Sequence, residues 1–215
     1  MAAGAVMVLG NVARDAGDYP AAARRYAEAE ALARPTGDNW VLGQILWNRG
    51  GLAQRQGDYR LARWLLEEVL ALRRTQHNPR DVGVTLAALG RVALAAGDTA
   101  TARTRLTQAV TVLRDGGQVW SLPLRLAELA QLAAAQGQPT RAARLWGAAA
   151  AQRQTLVGRP PRADEDPLFG TPAQADEVLR ARLGDAAFAA AWAQGQALTL
   201  EQAVAYALEE HPDAA

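Results

Sequence analysis

Small and apolar residues recur along the chain in a single register. Gly17-Asp18-Tyr19, Gly57-Asp58-Tyr59, Gly97-Asp98-Thr99 and Gly137-Gln138-Pro139 stand forty residues apart. Seven residues before each glycine is a small residue: Gly10, Gly50, Gly90 and Ala130. Five after it comes an alanine (Ala22, Ala62, Ala102, Ala142), and twelve after it Ala29, Val69, Ala109 or Ala149. Alanine dominates these segments and no strand-like alternation runs through them, so the pattern predicts helices throughout.

The recurring Gly-Asp has a physical reading as a turn between two helices. Glycine closes a helix in the left-handed conformation that other residues resist. The aspartate after it accepts a backbone N–H of the next helix as its N-cap. Pro20 and Pro139 fall in the first turn of that helix, where a missing N–H costs little. The spacing predicts helix pairs at 3–16 with 20–34, 39–56 with 60–75, 80–96 with 100–114, and 118–136 with 139–156. Stacked hairpins of this kind share a continuous core. Gly158-Arg159-Pro160-Pro161-Arg162 breaks the last of them and leads into the acidic Asp164-Glu165-Asp166-Pro167. Beyond it three shorter helices are expected, at 173–183, 185–195 and 199–210. Asp185 is the expected N-cap of the second, and Thr199 with Gln202 forms a capping box for the third. Phe188, Trp192, Leu198, Leu200, Val204 and Leu208 would supply the apolar surface with which these helices cover the last hairpin.

The small residue, the Gly-Asp turn and the spaced alanines resemble the tetratricopeptide repeat (TPR). Leu9, Leu89 and Leu129 before the small residue and Tyr26 after the first turn add to the likeness. The usual TPR period is about 34, so forty is a departure. The extra residues are assigned to Arg34-Pro35-Thr36-Gly37, His77-Asn78-Pro79 and Asp115-Gly116-Gly117. The expected fold is all-α: a TPR-like solenoid of four helical hairpins over 1–157, a proline-rich acidic connection over 158–172, and a helical cap over 173–215.

The tail carries a second resemblance. Arg144-Leu145-Trp146-Gly147-Ala148-Ala149, the stretch Gly184-Asp185-Ala186-Ala187-Phe188 through Ala191-Trp192-Ala193-Gln194-Gly195, and Leu198-Thr199-Leu200-Glu201-Gln202-Ala203-Val204 resemble the C-terminal region of bacterial signalling ATPases that act as transcriptional regulators. In that family a nucleotide-binding domain precedes a TPR array, and many members end in a LuxR-type helix-turn-helix. Neither flanking domain is recognisable here: the chain has no lysine and so no phosphate-binding loop of the GxxxxGK[ST] type. The resemblance implies a protein-interaction or effector-sensing module of such a regulator. The alternative is a stand-alone TPR scaffold that assembles other proteins.

Composition narrows the chemistry. The 215 residues include no cysteine, hence no disulfide framework or thiolate metal site. The start shows no signal-peptide pattern and no apolar run is long enough for a membrane span, so a cytoplasmic location is expected. Residues 1–157 hold 19 Arg against 12 acidic residues, and residues 158–215 hold 4 Arg against 10. The array is therefore basic and the tail acidic. The net charge of +1 and the scattered arginines make no phosphate-tracking stripe, so a nucleic-acid partner is not expected.

Helical spacing from each turn glycine places Asn11, Arg14, Trp47, Gln54, Arg91 and Gln131 on the face that lines the concave surface of TPR proteins. Trp47 and Arg91 are the foremost of these, being residue types enriched at binding hot spots. The array's charge points to an acidic protein or peptide partner. Asn11 and Asn48 match the asparagines of a carboxylate clamp, but Met7, Val84 and Ala88 stand where its basic residues belong. Trp64, Trp120, Trp146 and Trp192 are assigned to helix packing. His77 and His211 stand apart from any base or ligand set, and Glu67-Glu68 and Glu209-Glu210 diverge around their helices. No catalytic residue, metal or cofactor is expected.

Overall fold

The computed structural model describes residues 2–157 and 172–209, and every regular element among them is a helix. These are α1 (Ala2–Asp15), α2 (Tyr19–Ala33), α3 (Asn39–Arg55), α4 (Tyr59–Thr75), α5 (Pro79–Ala95), α6 (Thr99–Asp115), α7 (Leu122–Ala135), α8 (Pro139–Val157), α9 (Pro172–Leu183), α10 (Asp185–Gln196) and α11 (Leu200–Leu208). Bounds agree with expectation to within two residues except at the start of α7. There Pro123 lacks the N–H that would continue a helix from residue 118. Val119–Ser121 winds as a 3-10 turn instead, and α7 begins with the proline in its first turn. The connection at 158–171 and His211 lie outside the described residues.

The Gly-Asp turns behave as their chemistry requires. Gly57 has φ of 78°. Its N–H bonds to the Gln54 carbonyl at 3.1 Å, and the Asp58 N–H reaches back to Ala53 at 2.9 Å, the pairing of a Schellman motif. The Asp58 side chain then accepts the Leu61 N–H at 2.9 Å. Two adjacent residues thus end α3 and start α4. Gly17, Gly97 and Gly137 share the backbone, with φ of 81°, 82° and 74°.

A second series sits halfway between. Gly37, His77 and Gly117 have φ of 69°, 53° and 68°, so left-handed residues recur every twenty positions. Asp38 caps α3 through the Trp40 and Val41 N–H groups, and Asn78 caps α5 through those of Arg80 and Asp81. The residues beyond the usual TPR length thus make a turn that imitates the other one. His77 hides this halved period, because it interrupts the glycine series.

The chain divides into two compact units, residues 1–98 and 99–215. In the first, Ala29 and Ala33 of α2 pack with Leu42, Ile45 and Leu46 of α3 and with Leu65 and Val69 of α4. Ala22 and Tyr26 of α2 enclose Leu52 of α3. The repeated alanines Ala22 and Ala62 are fully buried here, as are Ala102 and Ala142 in the second unit.

In the second unit α10 lies along α8 at very close range. A Cβ on Gly147 would stand 2.3 Å from the Trp192 carbonyl oxygen, and one on Gly195 would stand 2.0 Å from that of Arg144. Phe188 and Ala191 are buried beside this crossing. The Arg141 Nη2 donates to the carbonyls of Tyr206, Ala207 and Glu209 at the end of α11, each at 3.1 Å. Gln152 donates to the Leu198 carbonyl at 2.8 Å.

Two expectations are corrected. Gly184, with φ of 80°, holds the N-cap position of α10, and Asp185 is instead the helix's first residue, its carboxylate accepting from Arg180 at 3.1 Å. The Thr199–Gln202 capping box of α11 is present as expected. Trp64 and Trp120 do not pack: they are 55% and 68% exposed, whereas Trp146 is buried and Trp192 is half-buried. Trp64 shares its place in the repeat with Arg24 and Thr104, both exposed, so the register turns it outward.

Candidate protein-interaction surface

Asn11, Arg14, Trp47, Gln54, Arg91 and Gln131 all lie on first helices of hairpins, at three places in the repeat spaced four and three residues apart. Such spacing puts each of them on the same face of its own helix. All six are half-buried. They therefore border the packed interior and keep a polar or aromatic edge toward solvent. Asn11, Arg14, Trp47, Gln54 and Arg91 belong to the first unit and Gln131, on α7, to the second.

The local geometry distinguishes them. Around Tyr26 the structure brings Asn11 and Arg14 together. The phenol donates to the Asn11 Oδ1 at 2.8 Å, and its ring fills the space left by Gly10, where a Cβ would meet Cε1 at 2.5 Å. Burial raises the phenol above its usual pKa, while Arg14 opposes that rise. Arg14 pairs with Asp15 at 2.9 Å, and this hydrogen bond raises its own pKa. Asn11 is thus committed to its hairpin partner, while Arg14 remains at the rim.

Trp47 is covered on one side by Arg73 of α4, whose guanidinium carbon lies 4.6 Å from the ring centroid. Arg73 in turn donates to the Thr85 hydroxyl of α5 at 2.8 Å and to the Asp81 carbonyl at 3.3 Å. Burial lowers its pKa. Trp47 therefore ties α3 to α4 as well as bordering solvent. Gln54 and Arg91 extend the stripe on α3 and α5.

Sequence reasoning did not find the charged lattice on the second helices. Glu30 of α2, 8% exposed, accepts from Arg34 and from Arg49 of α3. Arg34 continues to Glu68 of α4 at 2.7 Å, and these two carboxylates hold it above its usual pKa. The signal available was the acidic residue at Glu28, Glu68 and neighbouring repeat positions. In the second unit Arg125 and Glu128 form a buried ion pair within α7 at 2.9 Å. Among the described residues no cluster of His, Cys, Asp or Glu could hold a metal ion, and no helix is long and apolar enough to cross a membrane.

Residues 41–115, from α3 to the end of α6, match the tetratricopeptide repeat family. No curated protein matches the chain significantly. Among solved structures it is similar to nearly identical TPR-like repeats of a candidate kinesin light chain from Podosopora anserina, at 18% identity over 94% of this chain and 92% of that one, with a TM-score of 0.59. A single-substitution variant of the same protein matches at 20% identity, with the same coverages and a TM-score of 0.62. At such identities the likeness concerns the fold. That fold is all-α and TPR-like, with helical hairpins followed by a short helical cap, and repeats of this type mediate protein–protein interaction.

Proposed function

We propose that the chain is a protein-interaction module that binds an acidic peptide or helix along the half-exposed stripe of its first helices. The observation that carries this reading is the stripe itself. Arg14, Trp47, Gln54 and Arg91 recur at fixed repeat positions and stay half-exposed, where core residues at neighbouring positions are covered. Arginine and tryptophan are the side chains that most often anchor such contacts. The excess of arginine over acidic residues in 1–157 favours an acidic partner. The likeness of Arg144–Ala149 and of the segments from Gly184 to Val204 to signalling-ATPase regulators favours a place in such a regulator, as its sensing or partner-binding part. Chemistry on a bound substrate forms no part of this role.

The test is capture of partners on the immobilised chain, followed by titration calorimetry with the captured protein. Arg91→Ala and Gln54→Ala leave the packed clusters intact and should each weaken binding by about 1 kcal/mol if they act as anchors. Affinity should fall between low and high salt where rim charges contribute. Full affinity in both variants at both salt concentrations moves the site off this stripe.

A further inference from the structure

Position 141 departs from its place in the repeat. Ala21, Leu61 and Thr101 stand four residues after the first three turn glycines, whereas Arg141 stands four after Gly137. The stacking of hairpins therefore requires no cation there. Yet Arg141 is only 9% exposed. Its Nη2 is committed to the three carbonyls at the end of α11, and its guanidinium carbon lies 5.0 Å from the centroid of the Tyr206 ring. Its Nη1 is buried and meets no hydrogen-bond acceptor among the described residues. A buried donor left without an acceptor is costly, more so on a charged group. Within the second unit Arg141 borders a narrow cleft. Leu129, Leu132 and Ala133 of α7 and Ala207 of α11 form its apolar part, and all four are buried. Arg103 of α6 and Gln136 at the end of α7 complete the lining, with the Arg103 Nη2 donating to the Gln136 Oε1 at 2.5 Å. Two guanidinium groups thus share one cleft, and no residue lining it is acidic. Burial lowers the Arg141 pKa and the charge of Arg103 adds to the fall, while Tyr206 and Glu209 oppose it.

We propose that this cleft binds a monatomic anion of halide size, held by the Arg141 Nη1 and the Arg103 guanidinium. Charge selects the class of ligand. A water would accept one N–H but leave both cations uncompensated in an apolar setting, whereas an anion answers the hydrogen bond and the charge together. Arginine suits the task, because its guanidinium is weakly hydrated and presents donors in a fixed plane. Size selects the member. The cleft has room for a particle about as large as one water molecule, which admits a halide and turns away sulfate, phosphate and organic anions. The bound ion ties α6 and α8 together beside α7, next to the end of α11 that Arg141 already holds. The site is independent of the half-exposed first-helix residues and of any partner they bind.

The probe is bromide, whose anomalous scattering distinguishes it from water. Crystals of the full chain grown in bromide should show an anomalous peak within hydrogen-bond reach of Arg141 Nη1 and Arg103. In solution, bromide replacing gluconate at constant ionic strength should raise the melting temperature saturably, as a ligand of the folded state does. Arg103→Gln removes one charge at a half-buried position and should weaken the bromide affinity about tenfold or more. Arg103→Lys keeps the charge and should lose less. Arg91→Ala, which probes the partner-binding face, should leave the bromide effect unchanged. A water in the cleft with a melting temperature indifferent to bromide overturns the proposal, and so does bromide found only elsewhere on the surface. An equal rise in the parent and in Arg103→Gln would be a general salt effect and overturns it too. Stabilisation by acetate that bromide does not match would assign the two guanidinium groups to a carboxylate and overturn the halide.

Discussion

Tyr26 joins a steric and a polar requirement in one side chain. Its ring occupies the space that only Gly10 leaves, and its hydroxyl donates to Asn11. Tyr26→Phe should keep the packing and lose the hydrogen bond, a cost of about 1 kcal/mol readable by denaturant titration. The same variant carries a pH signature. Because burial raises the phenol's pKa in the fold, its contribution is fully present below the unfolded value of about 10 and is lost as pH rises through the folded value. The parent should therefore lose stability more steeply than Tyr26→Phe above about pH 10, as melting curves at stepped alkaline pH would show. The left-handed positions offer a matched pair. His77, at φ of 53°, bears a strain that Gly57, at 78°, avoids. His77→Gly should gain about 1 kcal/mol, and Gly57→Val should lose about 2 kcal/mol, since a Cβ in that conformation costs energy even where space is open. A Gly57→Val protein with an unchanged melting temperature would show that the turn tolerates a side chain.

Hairpins were legible because each needs few residues to specify it: a glycine that reverses the chain, an aspartate that restarts it, and alanines where helices touch. Gly17, Gly57, Gly97 and Gly137 announce this on sight. What was not legible depended on contacts distant in sequence. Trp64 and Trp120 look like core residues by type, yet their places in the repeat turn them to solvent. Of the six site residues, the shared helix face could be read from spacing, whereas the Asn11–Tyr26 bond and the cover of Arg73 over Trp47 could not. The crossing of α8 and α10 is the clearest such case, because Gly147 and Gly195 reveal their purpose only when the two backbones meet. Gly195→Val should cost about 3 kcal/mol through overpacking against a carbonyl that cannot retreat. Hydrogen exchange should locate the loss in α10 and α11. Unchanged protection of α10 would show that the crossing yields more readily than its geometry implies.

Repeat proteins distribute stability among neighbouring units, and here the chain resolves into residues 1–98 and 99–215. Removing everything after Val157 uncovers the face of α8 that Gly195, Phe188 and Ala191 occupy. The shortened protein should melt lower or aggregate, while exchange in α2, α3 and α4 stays close to that of the parent. A truncated form as stable as the parent, and no more prone to associate, would deny α9–α11 their covering role. The six tryptophans also divide the molecule optically. Trp40, Trp64 and Trp120 are more than half exposed, so their emission should be red-shifted and readily quenched by acrylamide. Once these three are replaced by phenylalanine, Trp47 reports on the first unit alone, and Trp146 with Trp192 on the second. Its neighbour Arg73 gives Trp47 a charged surrounding, while Trp146 is buried. One fluorescence melt, repeated with Trp47 also replaced, would then time the loss of each unit without any external label, which matters in a chain whose lack of lysine leaves amine-reactive dyes no side chain to modify.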